Sequence, residues 1–184
     1  YRQTGEVFVD AAGKAKLVQS TLPTLTFGLR FLDADFDGYQ DLILANGHIE
    51  PEINSVQKEI TYQQTSQLFW NSGSGPMVDI SEDSGPFFLE EIVARGLSAG
   101  DVDGVGDLDV LMTTNGGRAY LLRNDGPPGK AIAIKLRSQG GNKRAIGALV
   151  SVTSRERTQT QMVRTGSSYL SHSPLELTFG VGQV

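Results

Sequence analysis

Two nine-residue segments repeat one order of carboxylates: Asp33-Ala-Asp-Phe-Asp-Gly-Tyr-Gln-Asp41 and Asp101-Val-Asp-Gly-Val-Gly-Asp-Leu-Asp109, with first aspartates 68 residues apart. Carboxylates at every second position around a glycine are too charged for a strand or helix interior, so each segment must be a turn held at the surface. Apolar stretches flank both. They predict strands over 25–32 and 95–100 before the loops and over 42–45 and 110–113 after them, so that each loop joins two strands.

The repetition reaches beyond the loops. Tyr1-Arg-Gln-Thr-Gly5, Phe69-Trp-Asn-Ser-Gly73 and Leu122-Arg-Asn-Asp-Gly126 align as strand ends running into glycine turns, the first two followed by Val7-Phe-Val-Asp10 and Met77-Val-Asp79. Repeats of this length signal small sheets that bury their faces on their neighbours. Twenty-two glycines in 184 residues fit many tight turns and an all-β class. On this register the chain opens in the last half of one unit, contains one complete unit and then most of another. The stretch 51–67 reads as a long loop with one helical turn, and 87–94 as a candidate short helix.

Charge divides the chain. Residues 1–129 carry 8 basic and 19 acidic side chains, residues 130–184 carry 8 and 2, so the halves stand near -11 and +6. The break falls at Asp125-Gly-Pro-Pro-Gly129, a short turn-rich linker, and predicts domains at 1–126 and 130–184 with the basic part docked against the acidic one. In the second part Ile132, Ile134 and Leu136 alternate with Lys135 and Arg137. Further strands are expected over 148–153, 158–164 and 175–179, with turns at 140–141, 154–157 and 166–168, giving a small antiparallel sandwich or barrel. The overall charge does not fit a nucleic-acid binder, and no apolar run has the roughly 20 residues of a membrane span. With no cysteine there is no disulfide frame, thiolate zinc site or cysteine nucleophile.

The chemistry of the first loop points to calcium, which takes six to eight hard oxygen ligands in flexible geometry. Asp33, Asp35, Asp37 and Asp41 supply four carboxylates whose mutual repulsion a divalent cation relieves. Gly38 can adopt positive φ at the sharp turn and bring the Tyr39 carbonyl inward as a fifth ligand. In the second loop Asp101, Asp103 and Asp109 hold equivalent places. Val105 replaces one carboxylate there and Asp107 falls where a carbonyl is expected, so binding at this loop is expected to be weaker.

Other chemistries find less support. Phe31-Leu-Asp-Ala-Asp35 has the Asp-x-Asp start of a haloacid-dehalogenase-type phosphatase, but Phe36, Asp37 and Gly38 follow and the alternating helices of that family are missing from the pattern. His48 and His172, the two histidines, read as turn or packing residues. Phe69 and Trp70 read as strand core, with a sugar-stacking surface as the alternative. Nucleophile elbows, phosphate loops and zinc-helix motifs are not found.

The loops and flanks resemble the FG-GAP/VCBS repeats of integrin-type β-propellers. Asn142-Lys-Arg-Ala-Ile-Gly-Ala148, Gly166-Ser-Ser-Tyr-Leu-Ser171 and Leu177-Thr-Phe-Gly180 resemble the ASPIC/UnbV domain that closes bacterial propeller proteins and members of the cartilage acidic protein family. The resemblance implies propeller-blade repeats followed by a small β domain, and calcium held by Asp33, Asp35, Asp37, the Tyr39 carbonyl and Asp41. It further implies a secreted or periplasmic location, additional N-terminal blades, and a non-enzymatic recognition or adhesion role toward a protein or glycan. The alternative is an accessory or catalytic domain acting on polysaccharide, which requires a carboxylate pair across a cleft.

Overall fold

The computed structural model describes residues 1–126, 129–154 and 157–182. Pro127 and Pro128 of the linker, the middle of the 154–157 turn and the last two residues lie outside the described residues. The chain is all-β, built from small antiparallel sheets with only short helical turns, and the described strands close no barrel.

After the hairpin of β1 (Arg2–Thr4) and β2 (Val7–Val9), a four-stranded meander runs in sequence order through β3 (Thr26–Leu32), β4 (Asp41–Asn46), β5 (Gln67–Trp70) and β6 (Val78–Asp79). A three-stranded meander follows, of β7 (Ala94–Gly100), β8 (Asp109–Thr114) and β9 (Tyr120–Leu122). The acidic loops are the β3–β4 and β7–β8 connections, as their flanking strands predict. The repeat is visible in the register: Leu32 pairs with Asp41 as Gly100 pairs with Asp109, and both first strands carry an irregularity at their start.

Every residue of β4 is buried, because it is covered on both faces. Leu42 and Leu44 pack with Phe69 on one side, while Ile43 and Ala45 join Leu32, Leu97, Val110 and Met112 in the larger core shared by the two meanders. Such aliphatic side chains contribute roughly 1.5–3 kcal/mol each when fully buried, so this strand anchors the first loop on rigid ground.

Three sequence expectations change. Residues 87–94 form no α-helix: Pro86–Leu89 is a 3-10 turn, Ile92 bridges to Gln64, and β7 begins at Ala94. The pull of the core on Phe88, Ile92 and Val93 draws the segment into an extended path that its apolar pattern could not distinguish from a helix. The short helix α1 (Val18–Thr21) lies in a segment read without one, whereas α2 (Ile53–Val56) is the single helical turn expected in 51–67. The alternation over 132–137 also breaks early. Strand β10 (Ala131–Ile134) stops at Ile134 because its partner β13 (Leu177–Gly180) begins at Leu177, and Ile132 is left 44% exposed while Ile134 and Leu136 reach the core.

The C-terminal unit consists of the β10–β13 pair and the hairpin of β11 (Leu149–Ser154) and β12 (Arg157–Met162), sharing a core of Val163, Leu177 and Phe179. It packs on the acidic part. Strands β3 and β7 are sheet edges, and unpaired edge amides need partners. The serine-rich segment 166–173 supplies them: Leu29 N–H donates to Ser168 Oγ (2.9 Å), Leu97 N–H to Ser171 Oγ (3.0 Å) and Ala99 N–H to Ser173 Oγ (3.1 Å). Phe27 meets Tyr169 edge to face at 4.9 Å. These contacts are neutral, so the docking rests on edge capping more than on the opposite charges of the halves.

Candidate metal centre

The loop between β3 and β4 is folded by its own carboxylates. Asp33 Oδ2 accepts from Gly38 N–H at 2.9 Å, Asp35 Oδ1 from Asp37 N–H at 3.2 Å, and Asp37 Oδ1 from Tyr39 N–H at 2.7 Å. The turn needs left-handed backbone at Gly38 (φ 89°), as expected, and also at Phe36 (φ 58°). A side chain in that region is strained, and Phe36 is held there by burial at 6% exposure and by its carbonyl, which accepts from Gly182 N–H at 2.8 Å.

Asp33, Asp35 and Asp37 each offer an oxygen within 4.8 Å of the others. Asp33 is 1% exposed, and its Oδ1 is buried without a hydrogen-bond partner. Burial, then the neighbouring Asp37 and Asp35 carboxylates, push its pKa up to about 7 against the pull of the Gly38 amide. Asp37 is raised as well, chiefly by burial, with the Tyr39 amide opposing.

Asp41 stands apart from this trio. Its Oδ2 accepts from Ala34 N–H and its Oδ1 from Asn71 N–H, at 2.9 and 2.8 Å, so it ties the loop entrance to the end of β5. Burial lifts its pKa to about 6 while those two amides hold it down. Tyr39 presents its ring to Arg157, whose guanidinium carbon lies 3.3 Å from the ring centroid.

The β7–β8 loop repeats part of this arrangement with more exposed carboxylates. Asp109 bridges Val102 N–H and Asn124 N–H as Asp41 bridges Ala34 and Asn71. Asp101, Asp103 and Asp109 bring oxygens within 4.8 Å of one another, but Asp101 and Asp103 are exposed and both oxygens of Asp101 already accept from Gly104 and Gly106. Val105 points to solvent at 70% exposure, and Asp107 lies outside the trio with a buried, unpartnered Oδ1.

Sequence reading missed the supports of the first loop. Trp70 is half-buried on β5, and its indole N–H donates to Asp35 Oδ2 at 2.9 Å. Asn71 and Asn124 occupy the same place in the aligned strand ends, and that equivalence was the available sign of their common role. Gly180 of β13 lies directly against the loop: a Cβ there would meet Asp33 Oδ2 and fall 2.6 Å from Phe36 Cα. The histidines play the small part expected, His48 Nδ1 accepting from Glu50 N–H in a turn.

A family model described as ASPIC and UnbV matches residues 138–184. That match contains all three C-terminal motifs singled out in the sequence, including the serine-rich segment that caps β3 and β7. A search of curated proteins finds no match.

Proposed function

We propose that this chain is a calcium-binding recognition module whose ion is held by the loop over 33–41. The observation that carries the reading is the buried, unpartnered Oδ1 of Asp33 set beside the carboxylates of Asp35 and Asp37. A buried carboxylate oxygen without a donor is costly, and a hard cation is the partner that its oxygen neighbours favour. Asp33, Asp35 and Asp37 would hold the ion, with Asp41 and Trp70 fixing the loop around it and the Tyr39 carbonyl as a further ligand. The β7–β8 loop would bind more weakly, since both oxygens of Asp101 already serve the backbone.

The four-stranded meander with the acidic loop between its first two strands supports the FG-GAP/VCBS reading of these units as propeller blades. On that reading the chain serves outside the cytoplasm, where calcium is abundant enough for modules of modest affinity, and presents its surface to a protein or glycan without catalysing a reaction.

Terbium, which takes the same oxygen ligands, provides the test. Trp70 is the one tryptophan of the chain and touches Asp35. Excitation of tryptophan is expected to sensitise terbium emission, calcium to displace it, and Asp37→Asn to reduce it strongly. Emission that calcium does not displace, or that Asp37→Asn leaves unchanged, would remove the site.

A further inference from the structure

A cleft of about 650 Å³ opens between β3, the end of β7 and strands β12 and β13 of the C-terminal unit. Arg30, Lys135, Arg157 and Arg164 line it. None of the four forms a salt bridge among the described residues, where the ion pairs are Arg118 with Glu90 and Arg123 with Asp125. Nε of Arg30 and Nη1 of Arg157 are buried and have no hydrogen-bond partner among the described residues. Guanidinium N–H groups are obligate donors, so leaving them dry and unpaired is unfavourable.

Acidic groups also reach the cleft: both oxygens of Asp101 accept from amides of its own loop, and Asp33 Oδ2 accepts from Gly38 N–H while its open Oδ1 belongs to the proposed calcium site. Glu176 is exposed at the rim. Arg157 leans on the Tyr39 ring and sits near Asp37. Arg30 has no such acid beside it: burial first, and then the like charge of Arg164, hold its pKa below the usual arginine range. Arg30 and Arg164 thus both line the cleft, and neither forms an ion pair among the described residues.

We propose that this cleft binds an oxyanion, a sulfate or phosphate ester group carried by a ligand, with Arg30 and Arg164 as its principal partners. Planar guanidinium forks match the oxygens of such groups, and charge-assisted bonds would satisfy the donors left open. The cleft is far larger than one ion, which leaves room for the body that carries the group. Neither Arg30 nor Arg164 belongs to the residues proposed to hold calcium, although Asp33 of that set also lines the cleft.

The full chain is titrated with sodium sulfate and, separately, with glucose 6-phosphate, at constant ionic strength made up with chloride, and binding is followed by calorimetry and by melting temperature. Saturable binding of at least one probe is expected, weakened at least about tenfold by Arg164→Gln, the loss of one charged hydrogen-bonding partner. Arg164 is exposed, so its replacement spares the fold, and Lys135→Gln, also at an exposed position, is expected to weaken the same binding to a smaller degree. Preference for sulfate assigns a sulfated ligand, and preference for the sugar phosphate a phosphate ester. Failure of both probes to saturate, or equal affinity in Arg164→Gln and the unaltered chain, overturns the proposal.

Discussion

The chain is expected to melt roughly 5–10 °C higher in calcium at about 100 times its dissociation constant than in chelator, since mass action then adds about 2.7 kcal/mol to a protein of this size. The gain comes from a cluster that the unfolded chain cannot assemble. Its size depends on pH in a defined direction. In the metal-free fold Asp33 is raised to about 7 and Asp41 to about 6, from 3.8. The folded form therefore binds more protons than the unfolded form across that window, and its stability in chelator falls as pH rises from about 4 to about 7. Calcium replaces those protons, so the difference between the two melting curves should widen as pH rises. Superimposed curves in calcium and chelator at neutral pH would contradict the prediction.

The second large effect is expected from Gly180→Ala. The added methyl would meet Asp33 Oδ2 and lie 2.6 Å from Phe36 Cα, and the backbone of Phe36 cannot move aside because Gly182 N–H is bonded to its carbonyl. Overpacking of this kind costs about 1–3 kcal/mol. Gly141→Ala, where a Cβ meets nothing within 4 Å, is the control and should change stability by less than about 0.5 kcal/mol. Differential scanning calorimetry of the two variants checks the pair. Equal melting temperatures would mean that the C-terminal unit does not press on the acidic loop.

The parts of this molecule legible in the sequence are those in which local chemistry leaves one solution. Carboxylates at alternate positions around Gly38 could only be a turn, and the strands on either side followed from apolar runs of strand length. The alignment of Phe69-Trp-Asn with Leu122-Arg-Asn located the strand ends and put Asn71 and Asn124 in equivalent places, but it did not say that they close the loops or that Trp70 clamps Asp35. Those contacts span 15 to 35 residues and depend on strand register. The docking surface was harder still. Ser168 read as a turn residue and Ser171 only as part of a family-like segment, and their service to the edge amides of Leu29 and Leu97 is fixed by contacts across 139 and 74 residues. Charge asymmetry suggested the right association for an incomplete reason, because the bonds that join the halves are mainly between neutral groups.

The central claim, that the β3–β4 loop is a calcium site, is tested most directly by calorimetric titration of the unaltered chain and of Asp35→Ala with calcium and with magnesium. The account predicts a saturable calcium site that Asp35→Ala abolishes or weakens by about tenfold or more, and markedly weaker magnesium binding, because magnesium demands compact octahedral geometry and sheds water reluctantly. Calcium binding that survives Asp35→Ala unchanged, or equal affinity for the two ions, would contradict it.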